Sequence, residues 1–327
     1  MHARLSLALA AGAVSLPEGR VALFRPPADL DLDGLPPDPV ALHGFRPDFD
    51  ALAARGLTVA RAPEGPFDAA VVFAARARAL TLDLIARACA AVPPGAPVVV
   101  DGAKGDGIDS ILKACRAAFD TSQPFAKAHG KVFSLAAGPA PDGWLAQPRD
   151  VDGFTTDAGV FSADGIDPGS ALLAAHLHDL KGRACDLGAG WGFLARAILA
   201  SPGITACDLV EAEAVALDCA RTNVPDPRAA FHWADATLWK GGPYDLVVSN
   251  PPFHTGRRAD PSLGQAFVQA AARLTAPRGR FVMVANRHLP YEATLGAVFA
   301  ETVVLADRDG YKVIEARRPK AAKGRAR

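Results

Sequence analysis

Apolar and polar positions along the chain alternate between two patterns. Short apolar runs bounded by Pro, Gly or Asp predict strands: Val21 to Phe24, Leu57 to Val59, Phe67 to Phe73, Pro97 to Val100 and Lys131 to Leu135. Between them, Asp48 to Ala54, Ala79 to Ala91 and Ile108 to Phe119 predict helices, the second stopped by Pro93-Pro94-Gly95. The alternation resumes beyond residue 150. Apolar runs end at Asp186, Glu211 and Trp233, a fourth runs from Tyr244 to Ser249, and a helix is predicted from near Trp191 to about Leu199. Strands alternating with helices imply an α/β fold with mainly parallel sheets. Two such halves of similar size suggest a duplicated fold, although no residue-level repeat is visible.

The stretch from Gly138 to Asp152 lacks periodicity and carries Pro139, Pro141 and Pro148 among glycines, which makes it the expected linker. At the other end, Arg317 to Arg327 is basic and aperiodic, which predicts a solvated tail with a possible affinity for RNA phosphates. The apolar residues after Arg4 are too few for a membrane span and have a weakly basic start for a secretion signal. An amphipathic helix leading into the Val21 strand is expected instead.

Half of the 327 residues are hydrophobic, enough to fill two cores, and 35 basic residues balance 35 acidic ones. Zero net charge announces no nucleic-acid partner but leaves room for a local patch. Basic residues are mostly Arg, whose forked donors suit phosphates and base edges. The five cysteines, Cys89, Cys115, Cys185, Cys207 and Cys219, include no C-x-x-C pair, and two lie inside predicted strands. Reduced, buried thiols are expected, and no metal site.

The chemistry concentrates in Arg183-Ala-Cys-Asp-Leu-Gly-Ala-Gly-Trp-Gly192. A strand ends at Asp186, and Gly188, Ala189, Gly190 and Gly192 form a tight turn into a helix, open to close approach by a ligand. A nucleotide diphosphate would avoid a carboxylate beside that turn, whereas a cationic amino acid moiety such as that of S-adenosylmethionine tolerates Asp186. Glu211 closes the next strand, about 20 residues on, where doubly wound folds place the acceptor of ribose hydroxyls. Asp208 competes for that role but lies within the strand. After the third strand, Asp235-Ala236 can accept from an adenine amine. Each acid alone could be a helix cap, but three at consecutive strand ends point to one ligand.

The fourth strand runs into Asn250-Pro251-Pro252-Phe253-His254. Asn offers a carbonyl acceptor, the prolines leave carbonyls without competing N–H groups, and Phe253 offers a flat apolar face. This set suits a planar group with an exocyclic amine: the Asn oxygen and a Pro carbonyl accept its two hydrogens, and the nitrogen lone pair turns to the methyl donor. Positioning then supplies most of the catalysis, and no general base is required.

These residues resemble the ribosomal RNA small subunit methyltransferase C family of class I enzymes, which methylate guanine N2. The resemblance is carried by Gly159-Val-Phe-Ser162 through Asp167-Pro-Gly-Ser170, Cys185 to Gly192, Ser249 to His254, Val284-Ala-Asn-Arg-His-Leu-Pro-Tyr291 and Gly310-Tyr-Lys-Val313. It covers the second half and, more loosely, the first. It implies two tandem Rossmann-like domains, residues 1–150 and 151–327, the second a methyltransferase sheet, mainly parallel with an antiparallel last strand. Cofactor binding is expected only there, and it adds Ser170 to the cofactor set. The first half's candidate loop, Asp101 to Gly107, follows a strand but lacks the strand-end acid and the Asn-Pro-Pro-Phe partner. The implied substrate is guanine in small-subunit rRNA, and the implied setting is a cytoplasmic monomer without membrane attachment. Large-subunit rRNA, a protein glutamine or a DNA adenine are the alternative acceptors, and a non-catalytic RNA-binding assembly factor is the alternative of another class.

Overall fold

The computed structural model describes residues 3–252, 254–255, 258–259 and 261–321, apart from the side chains of 254–261. The chain divides into two compact units, Met1–Gln147 and Pro148–Arg327.

The first unit contains α1 (Arg4–Ala10), β1 (Val21–Phe24), β2 (Val40–Leu42), α2 (Arg46–Ala54), β3 (Thr58–Ala60), β4 (Ala69–Phe73), α3 (Arg78–Ala91), β5 (Pro97–Ala103), α4 (Ile108–Ala118), β6 (Phe125–Lys127) and β7 (Gly130–Ala136). Its sheet has the order β3-β2-β1-β4-β5-β7-β6, parallel except for β7, which runs antiparallel to β5 and β6. Alternate residues of the apolar strands fill two separate cores. Ala22, Phe24, Ala70 and Val72 pack with Ile85 of α3 and Ile111 of α4, while Val21, Leu23, Ala69 and Val71 pack with Leu5 and Ala8 of α1. Burial on both faces is why these strands show no polar alternation.

The second unit opens with the ribbon β8 (Arg149–Val151) and β9 (Phe154–Thr156), followed by α5 (Pro168–Ala174), β10 (Gly182–Leu187), α6 (Phe193–Leu199), β11 (Ile204–Glu211), α7 (Ala214–Asn223), β12 (Ala229–Trp233) and β13 (Tyr244–Ser249). A short pair, β14 (His254–Thr255) and β15 (Arg258–Ala259), precedes α8 (Pro261–Leu274), β16 (Thr275–Asn286), α9 (Tyr291–Val298), β17 (Phe299–Arg308) and β18 (Tyr311–Pro319). The seven-stranded sheet has the order β12-β11-β10-β13-β16-β18-β17, and β18 is antiparallel to both neighbours. Counted within each sheet, this is the same topology as in the first unit. The α/β alternation and the antiparallel last strand are therefore as expected, and the duplication that residue identities hide is explicit in the strand order. On one face α5, α6 and α7 pack through Leu173, Ile198 and Ala220; on the other α8 and α9 pack through Val268 and Leu295. From β10 the chain winds outward through β11 and β12, then returns to β13 on the other side. The order reverses between β10 and β13, and a crevice at the carboxyl ends of these strands follows from that topology.

Several expectations need correction. β2 and β6 were not predicted: β2 has three residues behind Pro36, Pro37 and Pro39, and β6 is a three-residue edge strand, partly exposed. The predicted linker is not structureless, since β8 lies within it and Trp144 meets Phe119 edge-on at 5.7 Å between ring centroids. The tail begins later than residue 317: β18 runs to Pro319, Arg317 pairs with Glu315 at 2.7 Å, and Arg318 pairs with Glu301 at 2.9 Å. Residues 322–327 lie outside the described residues. Finally, Asp101 to Gly107 is not a loop after a strand: Asp101, Gly102 and Ala103 close β5 itself, the fifth strand of its sheet and not the first, so its glycines are not the counterpart of the Gly188 to Gly192 turn. That counterpart follows β1, at Arg25-Pro26-Pro27.

All five cysteines are free and buried. Among the described residues no group of three or more His, Cys, Asp or Glu is placed to hold a metal, and no helix is long and apolar enough to cross a membrane.

Candidate functional site

Asp186 lies in β10, an inner strand of the sheet, in register with Leu209 of β11 on one side and Val248 of β13 on the other. It is fully buried, and among the described residues neither carboxylate oxygen has a hydrogen-bond partner. Burial, with a smaller contribution from the charge of Glu211 and partly offset by the nearby Ala195 amide, raises its pKa to about 7. Leaving a buried charge unmatched is costly, so an orphaned carboxylate beneath a glycine turn marks a place where a cationic or donor group of a ligand fits.

The turn itself is fixed by backbone bonds. The amides of Gly188 and Ala189 both donate to the Val210 carbonyl, at 2.9 and 3.1 Å, and the Gly192 amide donates to the Ala189 carbonyl at 3.0 Å. Gly190 has φ of 55°, and a Cβ there would meet nothing within 4 Å, so its outer side is open to a ligand. Gly192, with φ of 92°, caps α6; helix α6 therefore starts at Phe193, two residues later than expected.

Glu211 stands at the end of β11 with its carboxylate turned to this glycine loop: Oε2 accepts from the Gly190 amide at 2.7 Å and Oε1 from the Glu213 amide at 2.8 Å. Burial raises its pKa, against the lowering effect of those two amides. Asp208, the competing acid, is engaged elsewhere. Its Oδ1 meets His232 Nε2 at 2.7 Å and its Oδ2 meets Arg183 at 3.5 Å. Positions three apart on a strand face opposite ways, so only one of the pair can address the turn. Asp235 lies in the loop after β12, where its Oδ1 accepts from the amide and the hydroxyl of Thr237 at 2.8 and 2.7 Å; Ala236 beside it is buried.

Asn250 follows β13 at the same edge of the sheet. Its side-chain nitrogen donates to Asp167 Oδ2 and to Ser170 Oγ, both at 2.9 Å. Ser249 holds the strand end in place, its hydroxyl donating to the Leu187 carbonyl at 2.7 Å. Pro251 is buried and Pro252 exposed, while Phe253 lies outside the described residues. A hollow joins these parts: Gly188, Ala189 and Gly190 line it together with Asn250, Asp167 and Ser170, and Phe161, Ser162 and Trp191 close another side. The structure thus brings Asp186, the glycine turn, Glu211, Ser170 and Asn250 to the carboxyl ends of β10, β11 and β13, with Asp235 after β12; Asp186, Glu211 and Asp235 do not themselves line the hollow. A cofactor with a cationic amino acid end, a ribose and an adenine matches this donor and acceptor set.

Three contributors were missed by sequence reasoning. Asp167 caps α5, its Oδ2 accepting from the Ser170 amide at 2.7 Å. The Asp-Pro-Gly-Ser run signals that cap, but its contact with Asn250 is tertiary. Trp191 donates through Nε1 to the Phe161 carbonyl at 2.9 Å, which braces the wall of the hollow. Asn223, at the end of α7, accepts from the Thr155 amide at 2.7 Å and donates to the carbonyls of Thr155 and Trp191, both at 2.8 Å, thereby tying the β8–β9 ribbon to the glycine turn.

Residues 152–315 match the methyltransferase small domain family. The second unit is accordingly a class I S-adenosylmethionine-dependent methyltransferase. Over 241 residues the chain is 32% identical to the ribosomal RNA small subunit methyltransferase C of Idiomarina loihiensis, covering 69% of this chain and 72% of that one. With its counterpart in Shewanella amazonensis it shares 30% identity over 299 residues, 87% of this chain and 85% of the relative. The T. thermophilus 16S rRNA N2 G1207 methyltransferase, solved with AdoMet and guanosine, superimposes with a TM-score of 0.78 at 26% identity, covering 96% of this chain and 91% of that one. The chain belongs to the ribosomal RNA small subunit methyltransferase C family.

Proposed function

We propose that the second unit transfers a methyl group from S-adenosylmethionine to the exocyclic N2 amine of a guanine in small-subunit rRNA. The observation that carries this reading is the single hollow that holds both the glycine turn and Asn250, which lets one bound cofactor and one planar amine meet. The relatives named for small-subunit rRNA methylation and the structural neighbour containing guanosine support the choice of acceptor.

Bound S-adenosylmethionine would supply an electrophilic methyl group on a sulfonium. The chain's residues then bind and orient. Asp186 would offer its carboxylate from beneath the turn, Gly188, Ala189 and Gly190 would allow close approach, Glu211 would accept from ribose hydroxyls, and Asp235 with Ala236 would hold the adenine. Asn250 Oδ1 and a carbonyl of the Pro251–Pro252 pair would accept the two amine hydrogens; the base stacking expected of Phe253 falls outside the described residues. The amine nitrogen would thereby be turned towards that methyl group, and its surplus proton would leave to solvent. Holding the two reactants in line is the main catalytic contribution.

The first unit, in this reading, engages substrate and binds no cofactor. Where the second unit has its glycine turn the first has Arg25-Pro26-Pro27, and after its fourth strand it has Ala74-Ala75 in place of Asn250-Pro251. The hollow at its strand ends is lined instead by Arg4 and Asp101, a buried ion pair. The protein acts as a cytoplasmic monomer.

The test offers labelled S-adenosylmethionine with unmethylated small subunits, large subunits, bare rRNA and ribosomal protein. Label recovered as N2-methylguanine in small-subunit RNA is expected. Label in large-subunit RNA, in adenine or in a glutamine amide would overturn the assignment.

A further inference from the structure

We infer that Asp167 is a positioning residue for methyl transfer: together with Ser170 it dictates which end of the Asn250 amide faces the substrate. The inference rests on the proposed role of Asn250 as acceptor for the target amine. An Asn side chain is nearly symmetric in shape but not in chemistry, since one end only accepts and the other only donates. Its orientation is set by its partners, and a flipped amide would present NH2 to an incoming NH2.

At Asn250 the partners leave one solution. An ionised carboxylate can only accept, so the amide end facing Asp167 Oδ2 at 2.9 Å must be the NH2. Ser170 Oγ takes its second hydrogen at 2.9 Å. With both hydrogens used, Oδ1 is turned away from α5, and Asn250 lines the hollow shared with the glycine turn. A flip would set the amide oxygen against the Asp167 carboxylate oxygen, two acceptors with no hydrogen between them.

Asp167 can impose this because it is itself immobile. The same Oδ2 accepts from the Ser170 amide at 2.7 Å as the cap of α5. Pro168 follows at the first helical position, and Gly169 packs so closely on Tyr311 that a Cβ would come within 2.9 Å of its ring. Tyr311 at the start of β18 thus holds the start of α5, α5 holds Asp167, and Asp167 holds Asn250. One carboxylate oxygen serves the helix cap and the amide orientation together, although the residues it links are 83 positions apart.

The two duties can be separated by substitution in the full-length protein. Asp167→Ser keeps a good helix cap, but its oxygen is one bond too short to reach Asn250. Asp167→Asn keeps a carbonyl oxygen at the original reach. Single-turnover transfer to unmethylated small subunits is measured for each, with KM for the subunit and calorimetric affinity for S-adenosylmethionine. Asp167→Ser is expected to lose about a hundredfold in turnover, as misplacement of a reacting group does, with KM and cofactor affinity little changed. Asp167→Asn is expected to restore most of that loss. Wild-type turnover in Asp167→Ser, or parallel losses of turnover, cofactor affinity and thermal stability in both variants, would overturn the inference. Asn250→Ala tells the two ideas apart. If it is inactive while Asp167→Ser is fully active, only the role of Asp167 fails. If it is itself active, the acceptor role of Asn250 fails, and the inference with it.

Discussion

Asp186 shows how a single residue can be placed against its own electrostatic preference. Flanked by β11 and β13, it is fully buried, and burial outweighs the nearby Ala195 amide, raising its pKa to about 7 against 3.8 for an exposed carboxyl. The folded state therefore holds this proton more tightly than the unfolded state does. Stability tied to Asp186 is fully present below about pH 4 and is lost as pH rises towards and through 7. The full loss is on the order of 4 kcal/mol. Denaturant unfolding of the ligand-free protein from pH 4 to 8, followed by the fluorescence of Trp191, Trp233 and Trp239, should show wild type losing stability with pH relative to Asp186→Asn. Equal slopes would show that the carboxylate is satisfied in solution. Cofactor affinity should run the other way, rising with pH over this window in wild type and remaining weak and flat in the Asn variant.

At the scale of elements, the glycine turn separates folding from binding. Ala at position 190 must adopt a φ near 55°, a strain of about 1–2 kcal/mol, but would clash with nothing; its methyl would project into the space where a ligand approaches. Ala at 192 needs a φ near 92° and would also sit 2.8 Å from Val224 and 3.3 Å from Ala220, adding overpacking of about 1–3 kcal/mol. Thermal unfolding and calorimetry should therefore divide the two: Gly190→Ala loses cofactor binding with a modest fall in Tm, and Gly192→Ala loses several degrees more. The reverse ranking in Tm would contradict the geometry.

This turn was legible in the sequence because its strand, acid and glycines lie within ten residues, as was the run from β13 into Asn250-Pro251-Pro252; the bonds from Val210 and Glu211 that fix it were not. The apolar runs that became β1, β4, β5, β10, β11 and β13 were legible for the same reason, whereas the longer β16, β17 and β18 were not read from the pattern. Short strands were not: Val40–Leu42 and Phe125–Lys127 owe their conformation to pairing with neighbours that sequence order does not name. Asp101 to Gly107 misled because glycine content mimics a ligand turn, while strand order decides which loop reaches the crevice. Asp167 and Asn223 escaped for a further reason. Both carry ordinary local signals, a helix cap and a helix end, and their contacts with Asn250 and Trp191 exist only after folding.

For the whole molecule, the repeated strand order means that each unit has its own sheet and its own two cores. A fragment of residues 148–327 should fold and bind S-adenosylmethionine by calorimetry, whereas residues 1–147 should fold without binding it. Binding confined to the first fragment would reverse the division of labour. Where the cut is made matters, because a fragment starting after Thr156 would lack the partner of Asn223.

That clasp also makes the ribbon a reporter. The Thr155 amide is held by an Asn223 side chain whose other end is fixed to the backbone of the glycine turn, so the amide can exchange its hydrogen only when the clasp opens. A ligand that steadies the turn should suppress that opening. In deuterium uptake measured with and without S-adenosylmethionine, the peptide containing Thr155 should slow on binding, although Thr155 does not line the hollow. Unchanged uptake there, with protection confined to residues 188–192, would mean that the clasp opens independently of the turn.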